Sequence, residues 1–141
     1  MIDAIREFIG KCPLFSGKYI NVNYLGCIGG EVKATYSVEA VPTSPVVKQY
    51  TDGGQLCQVL FVVASRELYT ESPNDNTAVM KFYDDFAAWI EEKDKAREYP
   101  ALPAPCVAQS VEVMTGPYLF EAGNVDARYQ IQCRLTYYKD F

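Results

Sequence analysis

Twelve residues near the C-terminus constrain this fold more than any other part of the chain. From Ala127 to Tyr138 the sequence ARYQIQCRLTYY alternates without a break. Ala127, Tyr129, Ile131, Cys133, Leu135 and Tyr137 fall on one side, and Arg128, Gln130, Gln132, Arg134, Thr136 and Tyr138 on the other. A period of two sends successive side chains to opposite faces of a strand. The segment is therefore a strand about twice the usual length, with one apolar face and one long, regular polar face. Such a strand needs a sheet around it and a hydrophobic layer over its apolar side.

The rest of the chain supplies both. Ile2, Ile5, Phe8 or Ile9, and Cys12 have helical spacing, with Asp3 in the first turn and Pro13 as the stop. Ile20, Val22 and Tyr24 alternate with asparagines. After GCIGG, Val32, Ala34, Tyr36, Val38 and Ala40 alternate with polar residues, and Pro42 and Pro45 close the run. Two alternating runs around a glycine-rich link predict a β-hairpin whose tip carries Leu25, Cys27 and Ile28. Thr51-Asp52-Gly53-Gly54 is a turn. The run Leu56–Ala64, apolar almost throughout, reads as a central strand. The clearest helix follows. Asn74, Asp75 or Asn76 can cap it, Val79, Phe82, Phe86, Trp89 and Ile90 mark its apolar face, and Tyr99-Pro100 ends it. PALPAP is a stiff connector to a strand holding Val111 and Val113.

The predicted order is α-β-β-β-α-β-β. This is an α+β fold, a single domain over residues 1–141, with a mostly antiparallel sheet of about five strands and two helices on one face.

Chemistry is harder to find. The chain has no histidine, which removes the commonest general base and metal ligand. Asp84 and Asp85 are helix neighbours about 100° apart, so they read as solvated surface rather than an acid–base pair. GCIGGE lacks the lysine and following helix of a phosphate cradle. Thirteen Lys and Arg against eighteen Asp and Glu leave a net charge of −5, which argues against nucleic-acid binding. Five cysteines, an odd number without a CxxC and three of them inside apolar segments, read as reduced thiols. MIDAIREFIGKCPL is too interrupted by charge for a signal peptide, and no run approaches the length of a membrane span. No catalytic residue, cofactor site or metal site is assigned.

One segment is unusual. TGPYLFEAGNVDARY reads as a hairpin connection, yet carries Tyr118, Leu119 and Phe120 in a row. Loops are usually polar. These residues either tuck under the helices of their own domain or dock on a partner. Gly116-Pro117, Glu121, Gly123 and Asn124 favour a projecting tip, and hence an anchor. The candidate interface is Tyr118, Leu119 and Phe120, the polar strand face at Arg128, Gln130, Gln132 and Arg134, and the first hairpin tip at Leu25 and Ile28.

The order of these elements carries a resemblance. The helix ending in REFIGKCPLF, the run YSVEAVP, the helix MKFYDDFAAWIEE and the closing TGPYLFEAGNVDARYQIQCRLTYYKDF are similar to the small head–tail proteins of tailed bacteriophages and phage-derived tail particles. Those are often called minor capsid proteins, and they share an architecture with the tail terminators. The resemblance spans nearly the whole chain and is sharpest in ARYQIQCRLTYYK. It implies a structural, non-catalytic virion protein without a cofactor, assembled in the bacterial cytoplasm. It further implies a homohexameric ring that caps the head-proximal end of the tail tube and meets the head connector or neck. DNA would pass its lumen without specific binding, and an acidic ring would favour passage over sticking. The alternatives are another neck or tail completion component on this fold, or a small hydrolase or ligand-binding domain with an apolar pocket under the Pro-rich connector.

Overall fold

The long C-terminal alternation becomes the spine of the molecule. A computed structural model describes residues 2–15, 20–22, 34–68, 73–122 and 126–140. Strand β7 (Asp126–Lys139) and strand β4 (Gln55–Leu68) are each 14 residues long and pair antiparallel from end to end, Gln55 opposite Lys139 and Leu68 opposite Asp126. The remaining strands are β1 (Ile20–Val22), β2 (Ala34–Val41), β3 (Val46–Gln49), β5 (Cys106–Val113) and β6 (Tyr118–Ala122). Seven strands make one mixed sheet, five strands wide in the order β1-β2-β4-β7-β5, with β3 also on β4 and β6 also on β7.

The strand count exceeds the expected five because each flank of the central pair is broken once. Val41 faces Leu60 and Val46 faces Cys57, so β2 and β3 lie on one flank of β4. Val113 faces Cys133 and Tyr118 faces Gln130, so β5 and β6 lie on one flank of β7. Both breaks contain proline, which removes a ladder donor and is tolerated at sheet margins. Pro42 and Pro45 thus interrupt the strand without ending it.

Two further expectations are corrected. The first two strands are not an antiparallel hairpin, since β1 runs parallel to β2, Ile20 opposite Tyr36 and Val22 opposite Val38. Alternation reports which face is buried, and it is blind to direction. Eleven residues separate these strands, close to what a parallel crossover needs. The tip with Leu25, Cys27 and Ile28 lies outside the described residues. Nor is Tyr118-Leu119-Phe120 a loop tip. It belongs to β6, antiparallel to β7. Gly116-Pro117 lets the chain step out and return to the same flank.

Both helices cover one face of the sheet. Helix α1 (Ile2–Gly10) buries Ile5, Phe8 and Ile9, and Arg6 Nε donates to the carbonyl of Ile20 at 2.7 Å, tying it to β1. A single 3-10 turn at Pro13–Phe15 buries Phe15. Helix α2 (Pro73–Lys95) begins one residue before the first expected cap and buries Tyr83, Phe86 and Ile90. Phe15 meets Tyr36, Phe82 and Phe86 edge-on at 5.4–6.0 Å, which locks the turn after α1 to α2 and β2. The apolar face of β7 is buried as its alternation requires.

Tyr83 is fully buried, and its ring belongs to the same stripe as Val79, Phe86 and Ile90. Its hydroxyl donates to the carbonyl of Tyr129 at 3.0 Å and so takes its second bond, at 2.6 Å, from Ser65 Oγ. One side chain on α2 thereby grips both central strands. Tyr83→Phe removes both buried bonds, and an unfolding free energy lower by about 1–3 kcal/mol is expected. Urea denaturation with an unchanged m-value measures it. A loss below the error of the fit would mean the grip contributes nothing.

Candidate functional site

The face of the sheet away from the helices is polar at its surface, yet several of its residues are buried. Ser37, Val62, Ala64 and Gln130 are all 6% exposed or less. What covers them is a layer of side chains lying flat. Ser37 Oγ and Arg128 Nη2 both donate to Glu39 Oε2 at 2.8 Å. Arg128 Nε donates to Gln130 Oε1 at 3.1 Å, and Gln130 Nε2 donates to the Tyr118 hydroxyl at 2.5 Å. This network runs from β2 across β4 and β7 to β6. It can cross β4 because Ala64 stands between Ser37 and Gln130 in the register. A large side chain there would block the way.

The predicted interface residues therefore separate into groups. Tyr118, Arg128 and Gln130 come together in the network. Arg134 instead pairs with Glu112 directly across β5. Gln132 holds the break between β5 and β6 through its backbone. Its carbonyl accepts from Met114 N at 2.7 Å, and its N–H donates to Thr115 Oγ1 at 3.3 Å. Leu119 is 46% exposed. Phe120 lies in β6, and Leu25 and Ile28 lie outside the described residues. Strand β7 is paired on both sides, so it offers no edge to a neighbour. On its polar face Arg128, Gln130 and Arg134 are held by internal bonds.

The outward-facing apolar surface is elsewhere. The exposed large apolar residues, among those described, are Val46, Val47, Tyr50, Val107, Met114, Tyr118 and Leu119. All lie on or beside β3, β5 and β6, at the two rims of the sheet. The sequence signal for β3 is PVVKQY, two valines between a proline and a turn. The turn itself holds Gly53 at φ 94°, and a Cβ on Gly54 would sit 2.1 Å from the Tyr138 hydroxyl.

Two depressions adjoin the helices. The larger, about 450 Å³, runs between α2 and β5 over Val111 and Val113. Its charged lining residues are Asp84, Glu91, Asp94 and Glu112, all carboxylates. Asp94 Oδ1 accepts from the backbone N–H of Val111 at 3.2 Å and from the Tyr99 hydroxyl at 2.9 Å, so the helix end clasps the edge of β5. The smaller, about 310 Å³, lies where the Pro-rich connector begins, among Phe8, Trp89 and Tyr99. Its Lys93 and Glu98 bond each other at 2.5 Å. The contact raises the lysine's pKa and lowers the glutamate's. Each thus keeps its charge near neutral pH, and neither is poised to exchange a proton there.

Among the described residues no three His, Cys, Asp or Glu side chains gather as a metal site, and no helix is long and apolar enough to cross a membrane. Cys12, Cys57, Cys106 and Cys133 are free thiols, and Cys27 lies outside the described residues. A scan against protein-family models finds no match to the chain, and a search of curated proteins finds none.

This geometry sets two expectations. Arg128→Ala removes the donor shared by Glu39 and Gln130, both largely shielded from water. A loss of about 1–3 kcal/mol in a chemical melt is expected, and an unchanged midpoint would mean that water replaces the arginine without cost. Burial also pushes the Cys133 thiol up to about 12. The folded state then holds a proton that an unfolded thiol releases near pH 8.5, at about its ordinary pKa. This contribution to stability is complete below that pH and fades as pH climbs toward 12. Native alkylation at pH 9 should label half-buried Cys106 long before Cys133, as peptide mass mapping would read out. Equal rates would contradict the burial.

Proposed function

We propose that the chain is a structural virion protein, a tail terminator or closely related head–tail joining protein of a tailed phage or phage-tail-like particle. The observation that supports this reading is the placement of exposed apolar side chains. They sit on two unlike rims of one sheet, β3 at one side and β5 with β6 at the other. Unlike rims joined head-to-tail between copies generate a ring when the rotation closes. The resemblance in element order supplies the rest: a homohexamer that caps the head-proximal end of the tail tube and presents its other side to the head connector or neck. The role is non-catalytic. The net charge of −5 suits a lumen through which DNA moves without being held.

Negative-stain microscopy of the purified protein, alone and with its tail tube protein, tests the reading. Six-fold rings are expected, together with tubes stopped at one end by an added density. Tubes that remain uncapped at saturating protein would sink the proposal, whether or not rings form.

A further inference from the structure

We infer that the groove between α2 and β5 receives strand β3 of a second copy of this chain, which makes it the repeating contact of the assembly proposed above. The inference rests on that reading for the existence of a ring, and on the following geometry for the contact. The direction of the strands fits. Strand β3 is antiparallel to β4, β4 to β7, and β7 to β5. Across the sheet these four strands alternate, so β3 of a neighbour set beside β5 continues the alternation without reversing a strand. The two rims are thus compatible in direction.

The chemistry of the two sides also matches. Strand β3 is exposed along its whole length, and Val47 is 53% exposed. Its one charge is Lys48. The groove has Val111 and Val113 at its base, and the charged residues that line it are acids. Glu91 pairs with Lys95 and Glu112 with Arg134, so Asp84 and Asp94 are the carboxylates that an incoming cation would meet. Ala87 and Ala88 on α2 leave room for an incoming strand to come close. Valines entering over the base would place Lys48 among carboxylates, and opposite charges across a contact favour correct docking. The Asp94 bond to the Val111 N–H marks where the edge ladder is already closed. The seat is therefore built from side chains around that point rather than from an unbroken backbone ladder. A carboxylate that closes an edge also discourages indiscriminate strand addition.

A contact of this kind has two different halves, so each half can be blocked separately. Val47→Asp puts a carboxylate opposite the acidic groove, and Ala88→Trp fills the groove. Both positions are exposed, and thermal melts of each variant check that the monomer is intact. Sedimentation velocity then gives the result. Wild type should associate beyond a dimer, and each variant alone should be monomeric. An equal mixture should form dimers and stop there, because one good rim of each variant remains. Lys48→Glu, on the exposed strand, should weaken wild-type association several-fold. If the variants assemble like wild type, or the mixture stays monomeric while wild type associates, the inference is overturned. A wild-type chain that stays monomeric at high concentration overturns it as well. Capping of tail tubes by variants that keep wild-type rings would refute the contact and leave the functional reading standing. Variants blocked as described, together with wild-type rings that never cap a tube, would do the reverse.

Discussion

The rest of the structure depends on one ladder, the full-length antiparallel pairing of β4 with β7. Fourteen residues on each strand face each other without a slip. A slip of one residue would send every side chain of β7 to the wrong face. Ile131, Cys133 and Leu135 would then meet water, and Arg128, Gln130 and Arg134 would enter the core. Register is therefore fixed by burial on one face and bonding on the other. The flanks can tolerate interruptions because the centre has none. Both flanks shift by the same amount, five residues against three, at their proline-containing breaks.

The two faces of this ladder are stabilised by different means. On the helix side, apolar burial and ring packing contribute most, with Tyr83 adding one polar clasp. The aromatic residues Phe8, Phe15, Phe82, Phe86 and Trp89 join the helices to each other as much as to the sheet. On the open side no second layer of helices exists among the described residues. Arg128 and Gln130 act as that layer, with long side chains laid over Ala64 and joined to Glu39 and Tyr118. Long polar side chains cover apolar surface in this way while keeping their polar ends satisfied. The consequence is that this part of the face satisfies its own polar groups.

Periodicity makes much of this fold legible in the sequence. The alternation of residues 127–138 assigns every side chain of β7 to its face, and the stripe of Phe86 and Ile90 orients α2 correctly. Tyr83 escapes a sequence reading of the core because its hydroxyl makes it look like surface, although it keeps helical spacing with Val79 and Phe86. Strand direction is not legible. Ile20 and Val22 alternate the same way in a parallel or an antiparallel pair. The candidate site is the least legible part. Gly116 and Pro117 signal a turn, and so place Tyr118 and Leu119 on a projecting loop. The chain does turn there, and then rejoins the same flank. Val46 and Val47 are hidden because Pro42 and Pro45 signal an end. In both cases a local breaker is visible and its long-range partner strand is not.

That difference bears on where such a protein can evolve contacts. Residues in the central ladder are committed twice, to a register and to a face, so few of them can serve a neighbour. Strand β3 is committed once, through its ladder to β4, and its side chains point into water. The edge of β5 is committed once to β7 and is clasped at Val111 by Asp94. These margins can vary without disturbing the core. They can also carry exposed apolar groups at little cost to the monomer, since isolated surface hydrophobics are tolerated. A small contact at such margins is weak on its own, because association must overcome the loss of translational and rotational freedom. In a closed ring every copy makes two such contacts, and the last one is made without a further loss of that freedom. Individually weak rims are then compatible with a stable assembly, provided the two rims differ, as β3 and β5 do here.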